Sequence, residues 1–289
     1  MFQINWKTKS TLYKLFEFFR LKRILYFFQK YITKRSKIKI KEIDKSWKFH
    51  SEAIKKNDVI NLLEVGAGKS LEQNIYLSYL FKNKVKQTVI DINKMLDFDL
   101  FNEANKKIAN ILNLDSKKEV NSFETLQSSY NISYKAPHNL NDIIKNKKSF
   151  DMCITTTALE HFTLSDIEDF LLKLKKILRK DGFISSAIDY SDHYSHTDKN
   201  IGPLNFLKYT QNNWAKYNNS YLYQNRLRHR DYEKLFIKHN YIIKDNIKGP
   251  TQEYQKELSS EFDPYDQDIF ILWGYYLVQN NLEIVSNDI

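Results

Sequence analysis

The residues of this chain best placed to do chemistry are a glycine turn, one acidic side chain beyond it and a pair of histidines. In Glu64-Val65-Gly66-Ala67-Gly68 the two glycines lack a Cβ, so the backbone can turn sharply and approach a ligand closely. A dinucleotide fingerprint would need a third glycine at position 71, where Leu71 stands; hydride transfer thereby loses its main support. Asp91 follows Gly68 by 23 residues. A carboxylate at the end of a second strand can accept both hydroxyls of a ribose, and alone it could equally cap a helix. Together with the glycine turn it points to a nucleoside.

His193 and His196 come later in the chain. If the acceptor of a transferred group is a hydroxyl, a base is useful, and an imidazole suits neutral pH. His193 is the candidate base, with Asp189 and Tyr190 beside it; the plain alternative is a histidine bonded within its own loop. The spacing also suits a metal pair, but no cysteine and no carboxylate triad accompanies it, so no metal is expected. Asp192 and His196 could orient a polar substrate, and Arg226 and Arg228 could hold a phosphate or carboxylate. Against that, arginines beside a helix ordinarily form a solvated face.

Alternating apolar runs and helical patterns must position these groups. Val59–Val65 reads as a buried strand, followed by a helix over about 70–81. Further strands are expected at Thr88–Ile92, Ile132–Ala136, Phe150–Thr155 and Phe183–Ile188, with helices over Phe101–Leu112 and Leu164–Leu178. A helix at Asp231–His239 and strands at Tyr241–Lys244 and Ile269–Val278 complete the pattern. Such alternation implies a doubly wound, mostly parallel α/β sheet. The polar, aromatic stretch over about 189–228 interrupts it, too long for an ordinary loop and read as a substrate-shaping insertion.

The net charge of +10 is unevenly placed. Residues 1–50 hold eleven Lys and three Arg against Glu17, Glu42 and Asp44, a net +11, which leaves −1 for the rest. A basic nucleic-acid groove across the sheet is therefore not expected. The organisation reads as a basic, aromatic, helical segment over 1–56 and a catalytic domain over 57–289. Charges through residues 11–32 argue against a signal peptide or a membrane span. Within that stretch Leu12, Leu15, Phe16 and Phe19 share one helical face, while Leu21, Ile24, Leu25, Phe28 and Ile32 gather on nearly the opposite one. The single cysteine, Cys153, excludes a disulfide framework and reads as a core residue in a protein of the cytoplasm.

Four segments, LLEVGAG at 62–68, VIDI at 89–92, FDMCITTTALEHF at 150–162 and LKKILRKDGFI at 174–184, stand in the order found in class I S-adenosylmethionine-dependent methyltransferases. Over roughly 57–280 the chain resembles that family. The resemblance implies a Rossmann-like, seven-stranded sheet and S-adenosylmethionine as cofactor. It implies that Gly66, Ala67 and Gly68 border the methionine moiety, that Glu64 helps orient it, and that Asp91 holds the ribose. Ile92 would lie against adenine, Thr155 and Thr156 would form the floor near the methyl group, and Glu160-His161 would have a structural role at the site edge. The acid or amide usually found near the adenine amino group has no clear match; Asn139 is the nearest choice.

The leading reading is an O-directed methyltransferase of a small-molecule, glycan or lipid-linked acceptor, its basic segment docked on an anionic membrane face. A second reading makes that segment an RNA-binding arm, although Thr155-Thr156-Thr157 replaces the Asn-Pro-Pro-Tyr kind of loop used on base amino groups. A third is a non-catalytic scaffold that keeps the cofactor cleft.

Overall fold

The computed structural model describes residues 4–21, 38–145, 150–253 and 257–281. Its centre is a seven-stranded sheet of order β3-β2-β1-β4-β5-β7-β6. The strands are β1 Asn61–Val65, β2 Lys86–Ile90, β3 Ile132–Lys135, β4 Phe150–Thr156, β5 Leu178–Asp189, β6 Tyr241–Lys248 and β7 Trp273–Asn280. Strand β7 runs antiparallel to both β5 and β6, and the other pairings are parallel. The expected doubly wound, mostly parallel α/β sheet is what forms.

The apolar runs have a direct cause. Leu62 enters the core on one face of the sheet and Leu63 the core on the other, and Ile154 and Cys153 divide in the same way. A strand covered on both faces has no polar side to alternate with. The helices are α1 Trp6–Phe18, α2 Lys45–Lys56, α3 Glu72–Leu80, α4 Phe98–Ile111, α5 Phe123–Tyr130, α6 Leu140–Ile144, α7 Leu164–Ile177, α8 Gln211–Ala215 and α9 His229–Lys238. Helix α7 starts from a capping box of Thr163 and Asp166, which satisfies two end donors reciprocally.

Three element readings are corrected. The last strand begins at Trp273, and Gln267–Phe270 forms a 3-10 turn instead. Strand β5 begins at Leu178, directly after α7, rather than at Phe183, so Lys180-Asp181-Gly182 lies within the strand. Helix α1 buries Trp6, Lys9, Ser10 and Tyr13 and leaves Leu12, Leu15 and Phe19 exposed. Long-range partners decide this: Trp6 N–H donates to Asp198 Oδ2 at 2.9 Å and Ser10 Oγ to the Tyr217 carbonyl at 2.7 Å, while Trp6 packs among Tyr194, Tyr209, Trp214 and Tyr217. The second apolar face expected there, Ile24, Leu25, Phe28 and Ile32, lies outside the described residues.

The stretch after Asp189 closes on a core of its own, in which Trp6 of α1 joins Tyr194, Leu204, Phe206, Leu207, Trp214, Phe262 and Ile269. Among the described residues no helix is long and apolar enough to cross a membrane.

Candidate active site

The parallel strands present their carboxyl ends along one edge, where the glycine turn, Asp91, Thr155, Thr156 and Asp189 stand at the ends of β1, β2, β4 and β5. The backbone turns after β1 with Gly66 at φ 84° and Gly68 at φ 75°, a conformation natural for glycine. A Cβ on Gly66 would stand 3.3 Å from the Ala158 Cβ, whereas one on Gly68 would meet nothing within 4 Å. The turn is therefore closed against the end of β4 on one side and open on the other. Leu71 keeps a left-handed backbone, φ 49°, at a cost of roughly 1–2 kcal/mol for a side-chain-bearing residue; its complete burial in the core offsets this.

Glu64 sits behind the turn. Its carboxylate accepts from Asn74 Nδ2 at 2.5 Å and Gln73 Nε2 at 3.3 Å, and burial pushes it up to about 7. Gln73 also accepts from Thr156 Oγ1 at 2.8 Å. Thr156 in turn meets His50 Nε2 at 3.1 Å, His50 Nδ1 meets Ser185 Oγ at 2.7 Å, and Ser185 meets the Tyr275 hydroxyl at 2.8 Å. One proton arrangement satisfies the whole run: Tyr275 donates to Ser185, Ser185 to His50 Nδ1, His50 Nε2–H to Thr156, and Thr156 to Gln73. Burial lowers His50 to about 3, so it is neutral at physiological pH. His50 belongs to α2, in the segment read as an appendage; Trp47, His50, Ser51 and Ile54 form that helix's buried face. Their i, i+3, i+4, i+7 spacing was the available signal.

The raised Glu64 carboxyl has a consequence for stability. Between the ordinary carboxylate range and pH 7 the folded chain retains a proton that the unfolded chain has lost, so stability falls as pH rises through that window. A difference of about 2 kcal/mol is expected between the Glu64→Gln effects at pH 5 and pH 8, the substitution being more favourable at the higher pH. Urea unfolding of both chains at the two values measures it.

Asp91, just beyond β2, is buried, and its carboxylate accepts from the backbone N–H of Asn93 at 3.3 Å. Burial raises it, and the N–H groups of Asn93, Ile92 and Gly68 pull it back, which ties Asp91 to the glycine turn. Ile92 is 73% exposed. Asn139 caps α6 in a capping box with Asp142. Thr155 is fully buried and donates to Ser186 Oγ at 2.9 Å.

A cavity of about 570 Å³ lies where β4 and β5 end, lined by Thr157, Asp189, Ser191, Ser195, His196 and Lys199, by Asp44–Ser46, and by the apolar Ala187, Ile188, Pro203, Leu272 and Trp273. Of the groups expected around the acceptor, Asp189 and His196 stand on its wall. His193 stands beside Asp189, its Nε2 3.2 Å from Asp189 Oδ2, and its ring stacks on His196 at 5.1 Å. Burial works to raise Asp189, but hydrogen bonds from His193 and Ser191 outweigh it and hold the carboxyl below its ordinary range. Burial lowers His196, and the neighbouring His193 adds to the effect, so its imidazole is neutral at pH 7.

The other predicted acceptor groups point elsewhere. Tyr190 is buried with its hydroxyl 3.1 Å from His229 Nδ1. Asp192 is fully buried and accepts from Asn205 Nδ2 and the Tyr194 N–H, both at 2.9 Å. Arg228 is completely buried and donates to the carbonyls of Tyr190 at 2.6 Å, Ile269 at 2.6 Å and Ile271 at 2.5 Å. Arg226 donates to the carbonyls of Phe206 and Tyr209, to Gln211 and to Glu261. The solvated face expected for this pair is not found.

Near the cavity, Glu160 and His161 occupy the 3-10 turn after β4. Glu160 is 1% exposed. Burial drives its carboxyl well above the ordinary range; the backbone N–H groups of Glu160 and Asp189 offset part of this without making hydrogen bonds of standard geometry.

No protein-family model matches the sequence, and no curated protein matches it. Solved structures do align with it. One is the Burkholderia thailandensis 1,6-didemethyltoxoflavin-N1-methyltransferase with bound 1,6-didemethyltoxoflavin and S-adenosylhomocysteine, at 11% identity over 82% of this chain and 79% of that one, TM-score 0.46. Another is a SAM-dependent methyltransferase from Archaeoglobus fulgidus, at 9% identity over 81% and 94%, TM-score 0.43. The CurJ carbon methyltransferase aligns at 13% identity over 77% of this chain, TM-score 0.41, and the match spans about half, 48%, of that chain. At such identities and TM-scores these alignments say nothing of what the chain binds or acts on.

Proposed function

We propose that the chain transfers a methyl group from S-adenosylmethionine to an oxygen of a polar acceptor, a small molecule, glycan or lipid-linked saccharide. The observation that carries this reading is the adjacency of two compartments. Ala158 packs against Gly66 of the glycine turn, and its chain neighbour Thr157 lies on the wall of the cavity that also holds Asp189 and His196.

S-adenosylmethionine supplies a methyl group already activated at a sulfonium, so the protein's task is mainly to hold donor and acceptor in line. The residues present fit that cofactor. Asp91 would accept from the ribose hydroxyls, exposed Ile92 offers an apolar surface for adenine, and the glycine turn leaves room for the methionine end. Glu64 acts through Gln73 and Asn74, as a support behind the turn. On the acceptor side Asp189 receives a hydrogen bond from the substrate, while the neutral imidazole of His196 accepts the hydroxyl proton as the new bond forms. The geometry favours His196 over His193 as base because His196 stands on the cavity wall.

Labelled-methyl transfer into an extract of the source cell, fractionated into lipid, glycan, RNA and small-molecule pools, tests the acceptor. Label is expected in a glycan, lipid or small-molecule pool and is expected to fall about 100-fold or more with His196→Gln, within the range of general-base effects. Label in RNA would overturn the acceptor assignment.

A further inference from the structure

We propose that Glu160, His161 and His193 form a binding site for a divalent first-row transition cation such as Zn²⁺, Co²⁺ or Mn²⁺. The three residues offer one ligand atom each, and these atoms all lie within 4.8 Å of one another. The sequence pattern suggested no such set, because it paired His193 with His196; the chain instead brings up His161 and a carboxylate from the turn after β4.

Glu160 is the most telling member. It is almost wholly buried, and among the described residues neither carboxylate oxygen has a hydrogen-bond partner of standard geometry, the backbone N–H groups of Glu160 and Asp189 being only near it. Burying a carboxyl in that state is costly unless something pairs with it. A cation held with two imidazoles removes the cost.

Each histidine has one ring nitrogen engaged by an oxygen and the other left to act as a ligand. His161 Nδ1 lies 2.7 Å from the Tyr223 carbonyl, which can only accept, so Nδ1 carries the proton and Nε2 keeps its lone pair. His193 Nε2 faces the Asp189 carboxylate. A carbonyl or carboxylate on the far nitrogen is the usual support of a metal-binding imidazole.

The insertion braces both turns at once. Asn225 donates from Nδ2 to the carbonyls of Leu159 and Phe162, each at 2.9 Å, and from its backbone to that of Glu160 at 2.8 Å. Gln224 Oε1 accepts from the His193 N–H at 3.1 Å.

A set of two imidazoles and one carboxylate suits first-row transition cations, whereas Mg²⁺ and Ca²⁺ favour oxygen donors throughout. Ligands about 2.1 Å from such a cation stand roughly 3–4 Å from one another, so small side-chain adjustments close the cluster. Three protein ligands leave coordination positions for water or a substrate oxygen.

The test is metal binding alone, and it does not depend on methyl transfer. The full chain, stripped with a chelator, is titrated with Co²⁺ and followed by visible absorption and calorimetry. One equivalent is expected to bind with the spectrum of an imidazole-ligated ion. Glu160→Gln, His161→Gln and His193→Gln are each expected to weaken binding about tenfold or more, and His239→Gln, outside the cluster, to leave it unchanged. Melting curves without metal show whether each variant folds; if Glu160→Gln does not, His193→Gln decides, since that side chain is 19% exposed. No stoichiometric uptake, or uptake that these variants leave unchanged, would overturn the site.

Discussion

Alanine at Asp91 is expected to weaken binding of S-adenosylhomocysteine about 100-fold or more. The carboxylate would accept from two ribose hydroxyls, and each hydrogen bond to a charged group contributes about 1.5–3 kcal/mol. The same substitution should change the melting temperature of the free protein little, because the burial that disfavours the charged form of Asp91 offsets what the N–H groups of Asn93, Ile92 and Gly68 contribute. Calorimetry gives the affinity and a thermal melt the control. An unchanged affinity would remove Asp91 from the site and return it to the reading of a loop acid.

Arg228→Ala should act in the opposite way, lowering stability by about 3–5 kcal/mol. The guanidinium donates to three carbonyls, from the end of β5 and from the segment before β7, and its loss strands buried acceptors as well as opening a cavity. Arg228→Lys is expected to recover only part of this, because one ammonium cannot span the three acceptors in the plane a guanidinium covers. Denaturant unfolding measures both variants. A loss under about 1 kcal/mol would mean the carbonyls find other partners and would reopen a role for Arg228 in holding an anionic substrate.

The sheet and the glycine turn were legible in the sequence because local causes fix them. A strand buried on both faces must be apolar throughout, and a backbone at positive φ favours glycine, so β1 and Gly66–Gly68 declare themselves. Asp91 was picked out by its distance from that turn, and its place just beyond β2 agrees with that spacing. Arg226 and Arg228 were not legible, since what buries them is carbonyls 17 to 43 residues away in the chain. Asp189 and Tyr190 looked equivalent as neighbours, yet they point apart where the chain leaves β5: one lines the cavity and the other packs against His229 and Tyr232. His50 was hidden by composition. Its helix is rich in lysine and aromatic residues, and only the spacing of Trp47, His50, Ser51 and Ile54 marks a face that docks on the sheet. The cluster of Glu160, His161 and His193 depends on two turns that converge only in the folded chain.

The cofactor claim is tested most directly by titrating the wild-type chain with S-adenosylhomocysteine in the presence and absence of excess NAD. One molecule is expected to bind per chain, with a matching rise in melting temperature and no displacement by NAD, since Leu71 breaks the dinucleotide turn. Absence of both heat and thermal stabilisation, or full displacement by NAD, would contradict the assignment of this site to a methyl donor.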